Sequence, residues 1–193
     1  MSAYITHKIF PFVLSVNISP GGIPKLPIDS VSALKSGLQG DGRNHAKHIL
    51  PDRAVSLWDY ELLQHLVAEG FSSLKPGAAG ENLTVTRLNV QSMTAGTLLR
   101  IGDTVLKLEQ PRKPCYVLDA IDPCLKDAIV GRCGYLASVV REGTIRPGMQ
   151  IEVISPHDVT CSPTETEVIP TLEPVATPPG SLAFHLLAGP TIG

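Results

Sequence analysis

Short runs of alternating apolar and polar residues, set apart by glycine and proline, recur along the chain. That is the period of strands that bury one face. Leu83-Thr84-Val85-Thr86 alternates, and so do residues 105–109 behind the Gly102-Asp103 turn signal. After Pro147-Gly148, Met149, Ile151 and Val153 alternate with Gln150 and Glu152, which predicts a strand over residues 149–154. Residues 10–18 form an apolar run fit for a buried strand, and residues 135–141 carry few breakers before Gly143. Helical spacing is clear in one place, where Leu62, Leu63, Leu66 and Val67 share a face. Ser56 is the expected N-cap of that helix, with Asp59 three residues on as a variant capping box and Gly70 at the C-terminal end. A second, weaker helix is expected near residues 28–38. Many short strands with glycine and proline turns and few helices predict a mainly β fold, a barrel or sandwich, and not a doubly wound sheet. No internal repeat is present.

Composition narrows the class. A chain of 193 residues, 43% hydrophobic, is about one domain with room for a full core. No stretch approaches the ~18 uninterrupted apolar residues of a membrane span. A net charge of −2 gives no reason to expect nucleic acid or a membrane surface as partner. The first 16 residues lack a basic segment followed by a long apolar core and read as mature sequence. Residues 1–154 hold all 16 Lys and Arg; residues 155–193 hold none, but seven of the 17 prolines. The expected division is therefore a domain over 1–154 and a Pro-rich extension over 155–193, a flexible tail or a strap laid over the domain. Its apolar end, Leu182-Ala183-Phe184-His185-Leu186-Leu187, leaves room for a homodimer. The four cysteines include no C-x-x-C pair, and a chain with a good core does not need a disulfide framework. A reducing cytoplasm is the expected compartment.

Cys115 stands out among candidate chemical groups. It follows Arg112-Lys113-Pro114 on backbone stiffened by Pro111 and Pro114. Nearby cations favour the thiolate, the reactive and metal-binding form. That suits sulfur transfer, soft-metal ligation or redox chemistry; a buried, inert cysteine is the alternative. His45 and His48 are three apart, but glycines on one side and Pro51 on the other argue against a helix that would let them share a metal. Arg53, ahead of an apolar strand, is a candidate anion contact, or else an ion-pair partner of Asp52. The small-residue loop Pro76-Gly77-Ala78-Ala79-Gly80-Glu81-Asn82 lets backbone approach a ligand, although it lacks the Gly-Lys-Ser/Thr of a P-loop. Arg53, Arg112, Lys113 and Arg132 are candidates for one anion site around Cys115, since the arginine fork matches phosphate. Neither a G-x-S-x-G elbow nor a G-x-G-x-x-G fingerprint occurs.

The order of these motifs resembles the MOSC domain, named for the C-terminal part of molybdenum-cofactor sulfurase. The matching residues are Gly40-Asp41, Asp52-Arg53-Ala54-Val55, Gly80-Glu81-Asn82-Leu83, Ile101-Gly102-Asp103, Gln110-Pro111-Arg112 with Pro114-Cys115, Gly131-Arg132 with Gly134, and Gly143-Thr144 with Pro147-Gly148. They run in family order over about residues 10–154, and the pattern is that of small stand-alone bacterial members. The resemblance implies a β-barrel related to the pyruvate-kinase insert domain, with a few short helices. It implies a molybdenum cofactor (molybdopterin), with Cys115 either a thiolate ligand to molybdenum or a persulfide sulfur carrier. Arg53, Arg112, Lys113 and Arg132 would neutralise the pterin phosphate, and Gly80, Glu81 and Asn82 would face the pterin. The expected activity is reduction of small N-hydroxylated or N-oxygenated substrates. The alternatives are sulfur carriage for cofactor sulfuration and non-catalytic cofactor delivery. Residues 116–119, Tyr-Val-Leu-Asp, depart from the Lys-Leu pair of the bacterial reductases. Lacking a cysteine cluster for an iron–sulfur centre and an aminotransferase-like domain, the chain would need a separate electron or sulfur donor protein.

Overall fold

The computed structural model describes residues 10–42 and 50–160, all within one compact unit, Met1–Pro163. His45, His48 and residues 161–193 lie outside the described residues, and with them the expectations placed on the tail.

The central element is β5 (Val55–Asp59), buried along its whole length. Val55 and Leu57 join the main core, whereas Trp58, pointing to the other face, joins a second cluster with Leu66, Leu125 and Cys133. A strand covered on both faces cannot alternate apolar with polar, and so Ser56 reads from sequence as a cap. In the structure Ser56 belongs to β5. Helix α1 (Tyr60–Ala68) begins three residues later than expected, with Asp59 at its N-cap position. The Asp59 carboxylate does not cap that helix. It accepts from the Val90 and Gln91 amides at 2.9 and 3.1 Å, and burial pushes its pKa up.

β5 pairs in parallel with β6 (Leu83–Thr86), and α1 makes the crossover that parallel strands require. The return from α1 into β6 is the small-residue loop noted in the sequence. On the other side β5 pairs antiparallel with β9 (Tyr135–Arg141), which pairs with β8 (Thr104–Pro111). With β1 (Phe12–Ile18), β2 (Leu26–Ile28), β7 (Leu98–Ile101) and β11 (Glu152–Ile154), these make an eight-stranded sheet in the order β11-β7-β8-β9-β5-β6-β1-β2. A three-stranded sheet runs β10-β3-β4, from β10 (Gly143–Ile145), β3 (Val31–Leu34) and β4 (Gly37–Leu38). A second short helix, α2 (Leu125–Ala128), packs Leu125 into the Trp58 cluster.

The mainly β class is therefore observed, with two corrections. Residues 28–38 form no helix: Val31 and Ala33 are buried in alternation, and Gly37 at φ 127° lies where β3 meets β4. The sheet also does not close as a barrel by continuous ladders. Beside β1, residues 149–151 of the strand predicted over 149–154 contribute a single bridge, Phe12 to Gln150, and backbone bonds such as Val13 N to Met149 O, 2.9 Å. Only residues 152–154 pair as a strand, with β7, because the chain changes partner between the two edges.

Candidate functional site

A cleft of about 500 Å³ opens beside the end of β8, within the ~300–1,000 Å³ range of small-molecule sites. Cys115 lines it, half-buried, in extended backbone ahead of a 3-10 turn at Tyr116–Ala120. The Leu118 amide bonds the Cys115 carbonyl at 3.0 Å, which fixes the backbone while leaving the thiol toward the cleft. Tyr116, 62% exposed, stands at the rim.

Of the cations foreseen around Cys115, Arg53, Arg112 and Lys113 line the cleft. Arg112 has a dual position. Its Nη2 donates to the Ala79 carbonyl at 3.0 Å and its Nη1 to the Cys133 carbonyl at 3.4 Å. Three of its five N–H groups then remain without a protein acceptor among the described residues. Lys113 is exposed and has no hydrogen-bond or ion-pair partner among the described residues. Arg53 lies 3.9 Å from the Asp52 carboxylate, which also accepts from Gln110 Nε2 at 3.2 Å.

Arg132 does not join them. Its two terminal nitrogens bind both Glu69 oxygens at 2.6 Å, and Nε donates to the Ala128 carbonyl. This pairing raises the Arg132 pKa and lowers that of Glu69. Gly131-Arg132-Cys133-Gly134 contributes instead through backbone. Gly134 sits at φ 83°, where an added Cβ would lie 2.0 Å from the Leu57 carbonyl oxygen, and its own carbonyl accepts from the Arg112 amide at 2.8 Å.

The small-residue loop forms another wall, with Ala79, Gly80 and Asn82 on the cleft. Gly77 at φ 82° allows a close approach of backbone: a Cβ there would lie 2.2 Å from the Lys25 carbonyl oxygen. Asn82 lines the cleft, but its amide is fully engaged. Oδ1 accepts from the Ser56 amide and hydroxyl, and Nδ2 donates to the Asn17 carbonyl and the Asp41 carboxylate. Its role is to hold the wall. Glu81 does not line the cleft at all; it is fully buried beneath the loop.

Sequence reading missed Lys25 as a site residue, and it took Asp41 and Gln110 only as motif positions. Lys25 Nζ binds both Asp41 oxygens, with side-chain exposures of 10% and 1%, and both residues line the cleft. An aspartate between two glycines in Gly40-Asp41-Gly42 was a visible signal; an isolated Lys25 between Pro24 and Leu26 gave none.

No group of three or more His, Cys, Asp or Glu side chains among the described residues can hold a metal ion. A metal bound at Cys115 would therefore bring most of its own ligands.

The MOSC domain model matches residues 44–152, more than half of the chain. The chain belongs to the MOSC domain family. Among curated relatives of this MOSC protein, the uncharacterized protein YflK of Bacillus subtilis is 33% identical over 142 residues, 69% of this chain and 63% of YflK. The alignment thus spans less than two thirds of that relative. A protein of Gibberella moniliformis called a reductase is 34% identical over 127 residues, 62% of this chain but 23% of its own length. Among solved structures, YiiM from Geobacillus stearothermophilus superposes with a TM-score of 0.63 at 25% identity, covering 75% of each chain. No helix among the described residues of this MOSC protein is long and apolar enough to cross a membrane.

Proposed function

We propose that this MOSC protein binds a molybdenum cofactor in the cleft, with the Cys115 thiolate as its protein ligand, and reduces N-hydroxylated or N-oxygenated small molecules. The observation that carries the reading is that one cleft is lined by a thiol, two arginines and two lysines, of which Lys25 is paired with Asp41. The donor set fits the group. A single soft sulfur suits a metal whose remaining ligands arrive with a dithiolene. Arg112 and Lys113 retain N–H groups for the phosphate that the pterin carries, and the arginine fork can bind it through paired hydrogen bonds. When bound, the cofactor supplies the two-electron chemistry that cleaves an N–O bond. The protein orients it, through Cys115 at one side and the glycine-rich wall at another. The reductase-named relative supports the reaction class. Electrons would come from a separate donor protein, and the cytoplasm is the proposed compartment.

The test is the molybdenum and pterin content of protein purified from a host that makes the cofactor, followed by turnover of N-hydroxylated compounds with a supplied reductant. Stoichiometric molybdenum and turnover above free cofactor support the reading. Molybdenum without turnover would replace it with cofactor delivery. A persulfide on Cys115 without molybdenum would replace it with sulfur carriage.

The cations are separable by mutation. Lys113→Ala is expected to weaken cofactor retention about tenfold, since a hydrogen bond to a charged group is worth about 1.5 kcal/mol or more. Arg132→Ala is expected to leave retention unchanged, because its guanidinium is committed to Glu69 and Ala128. Retention assays on the two purified variants check this; a larger loss in Arg132→Ala would move the anion site away from the cleft.

A further inference from the structure

Glu81 is the largest fully buried acidic side chain among the described residues, and nothing in the proposed chemistry uses it. One carboxyl oxygen, Oε1, accepts from the Gly77 amide at 2.6 Å and from the Thr84 hydroxyl at 2.9 Å. The other, Oε2, is buried with no hydrogen-bond partner among the described residues. Thr84 is itself held by Asn17 Nδ2 at 3.2 Å, and Asn17 by the Ser15 hydroxyl at 2.7 Å. The carboxyl thus closes a neutral polar chain running from β1 through β6 to the glycine-rich loop.

A bare anionic oxygen inside the protein is far more costly than a bare hydroxyl. The group that could offset the charge is Arg112, whose positive charge acts on Glu81. Arg112 gives its hydrogen bonds to the Ala79 and Cys133 carbonyls and forms no ion pair with Glu81. The Cys133 thiol, also within electrostatic range of Glu81, is buried, and burial raises its pKa. Among the described residues no lysine, arginine or histidine forms an ion pair with the carboxyl.

We propose that Glu81 is the positioning residue of the cleft's glycine-rich wall, an uncharged carboxyl that ties the Gly77 amide to β6 and so sets where Ala79 and Gly80 stand against Arg112. The proposal rests on the reading above only in taking this cleft as the cofactor site. Burial, the largest influence on Glu81, raises its pKa above the ordinary carboxylate value, in keeping with the geometry. The sign follows from linkage. The closed loop holds the proton more tightly than the opened loop. That stabilisation is complete below the ordinary carboxylate pKa, and it is lost as pH rises from there through the raised value. Across that window the opening equilibrium of the loop should grow by up to about tenfold per pH unit.

Two measurements on the whole chain without cofactor test this. The ¹³C shift of the Glu81 carboxyl, assigned by its absence in Glu81→Gln, should titrate above the ordinary carboxylate range. Amide exchange at Gly77 and Gly80, corrected for intrinsic base catalysis, should accelerate over the same pH window in the wild type. In Glu81→Gln it should be flat, because glutamine keeps the Oε1 acceptor and cannot ionise. A carboxyl that titrates in the ordinary range, or a glutamine variant whose loop opens with the wild-type pH profile, overturns the proposal. Since no step uses molybdenum, failure here leaves the cofactor reading standing, and failure of the cofactor reading leaves this result interpretable.

Discussion

Cys115→Ser is expected to lose molybdenum and turnover together while keeping the wild-type unfolding midpoint. Serine is close in volume but offers a hard oxygen that stays protonated at neutral pH, a poor ligand for a thiophilic metal. The thiol is half-buried and belongs to neither hydrophobic cluster, so its replacement should change stability by no more than about 0.5 kcal/mol. Metal analysis and activity on the same preparation, with a denaturation curve beside them, check all three parts. A serine variant that still holds stoichiometric molybdenum removes Cys115 as the ligand. One that loses metal but unfolds early would mean that the cysteine matters to the fold instead.

The largest stability effect is expected at Asp41. Its carboxylate takes both bonds from Lys25 Nζ, one from the Ser19 amide at 3.1 Å and one from Asn82 Nδ2 at 3.0 Å, at 1% exposure. Asp41→Ala leaves the Lys25 ammonium nearly buried without its counter-charge and strips acceptors from two further donors. Breaking one side of a buried pair costs about 3–5 kcal/mol. That is a large share of the ~5–15 kcal/mol that holds a domain of this kind together. The companion Asp41→Ala/Lys25→Met should recover part of the loss, because it removes the ammonium that has lost the Asp41 carboxylate. Chemical denaturation of the three proteins decides it. A loss below about 1 kcal/mol in the single variant would show that water reaches Lys25 and replaces the pair.

Local signals located much of the framework. β6, β8 and β9 fall on the predicted runs: β8 ends at Pro111, β9 starts directly after Gly134 with its first residues buried in alternation, and β6 keeps its apolar-polar alternation although all four residues are buried. α1 was visible from Leu62, Leu63, Leu66 and Val67, although its start was misplaced. That error and the expected helix near residues 28–38 share a cause. Where a strand is buried on both faces, or where a hairpin is short, apolar residues fall close enough together to imitate helical spacing. α2 is only four residues long, too short for its periodicity to show.

The candidate site divides in the same way. Residues 110–115 carried their own message, since cations and a thiol adjacent in sequence stay adjacent in space. Gly77 and Gly80 likewise announced a close backbone approach. Whether Arg53, Arg112, Lys113 and Arg132 converge depended on strand order. Arg112 and Lys113 follow β8 and Arg53 lies two residues before β5, and β9 joins those two strands. Arg132, only two residues from the backbone position that receives the Arg112 amide, turns to Glu69 at the end of α1. Glu81 and Asn82 show the limit most directly. They are neighbours in the chain, yet Asn82 meets the cleft and Glu81 lies in the interior, where the loop turns into β6.

The sequence by itself determined the family, the mainly β class and the cysteine on which the proposed chemistry turns, because these depend on residue types at short spacing. Only the tertiary structure decided which cations share the cleft, that Lys25 and Asp41 belong to it, and that Glu81 supports the wall from beneath. Those facts depend on pairings between segments far apart in the chain, set by which buried faces must meet.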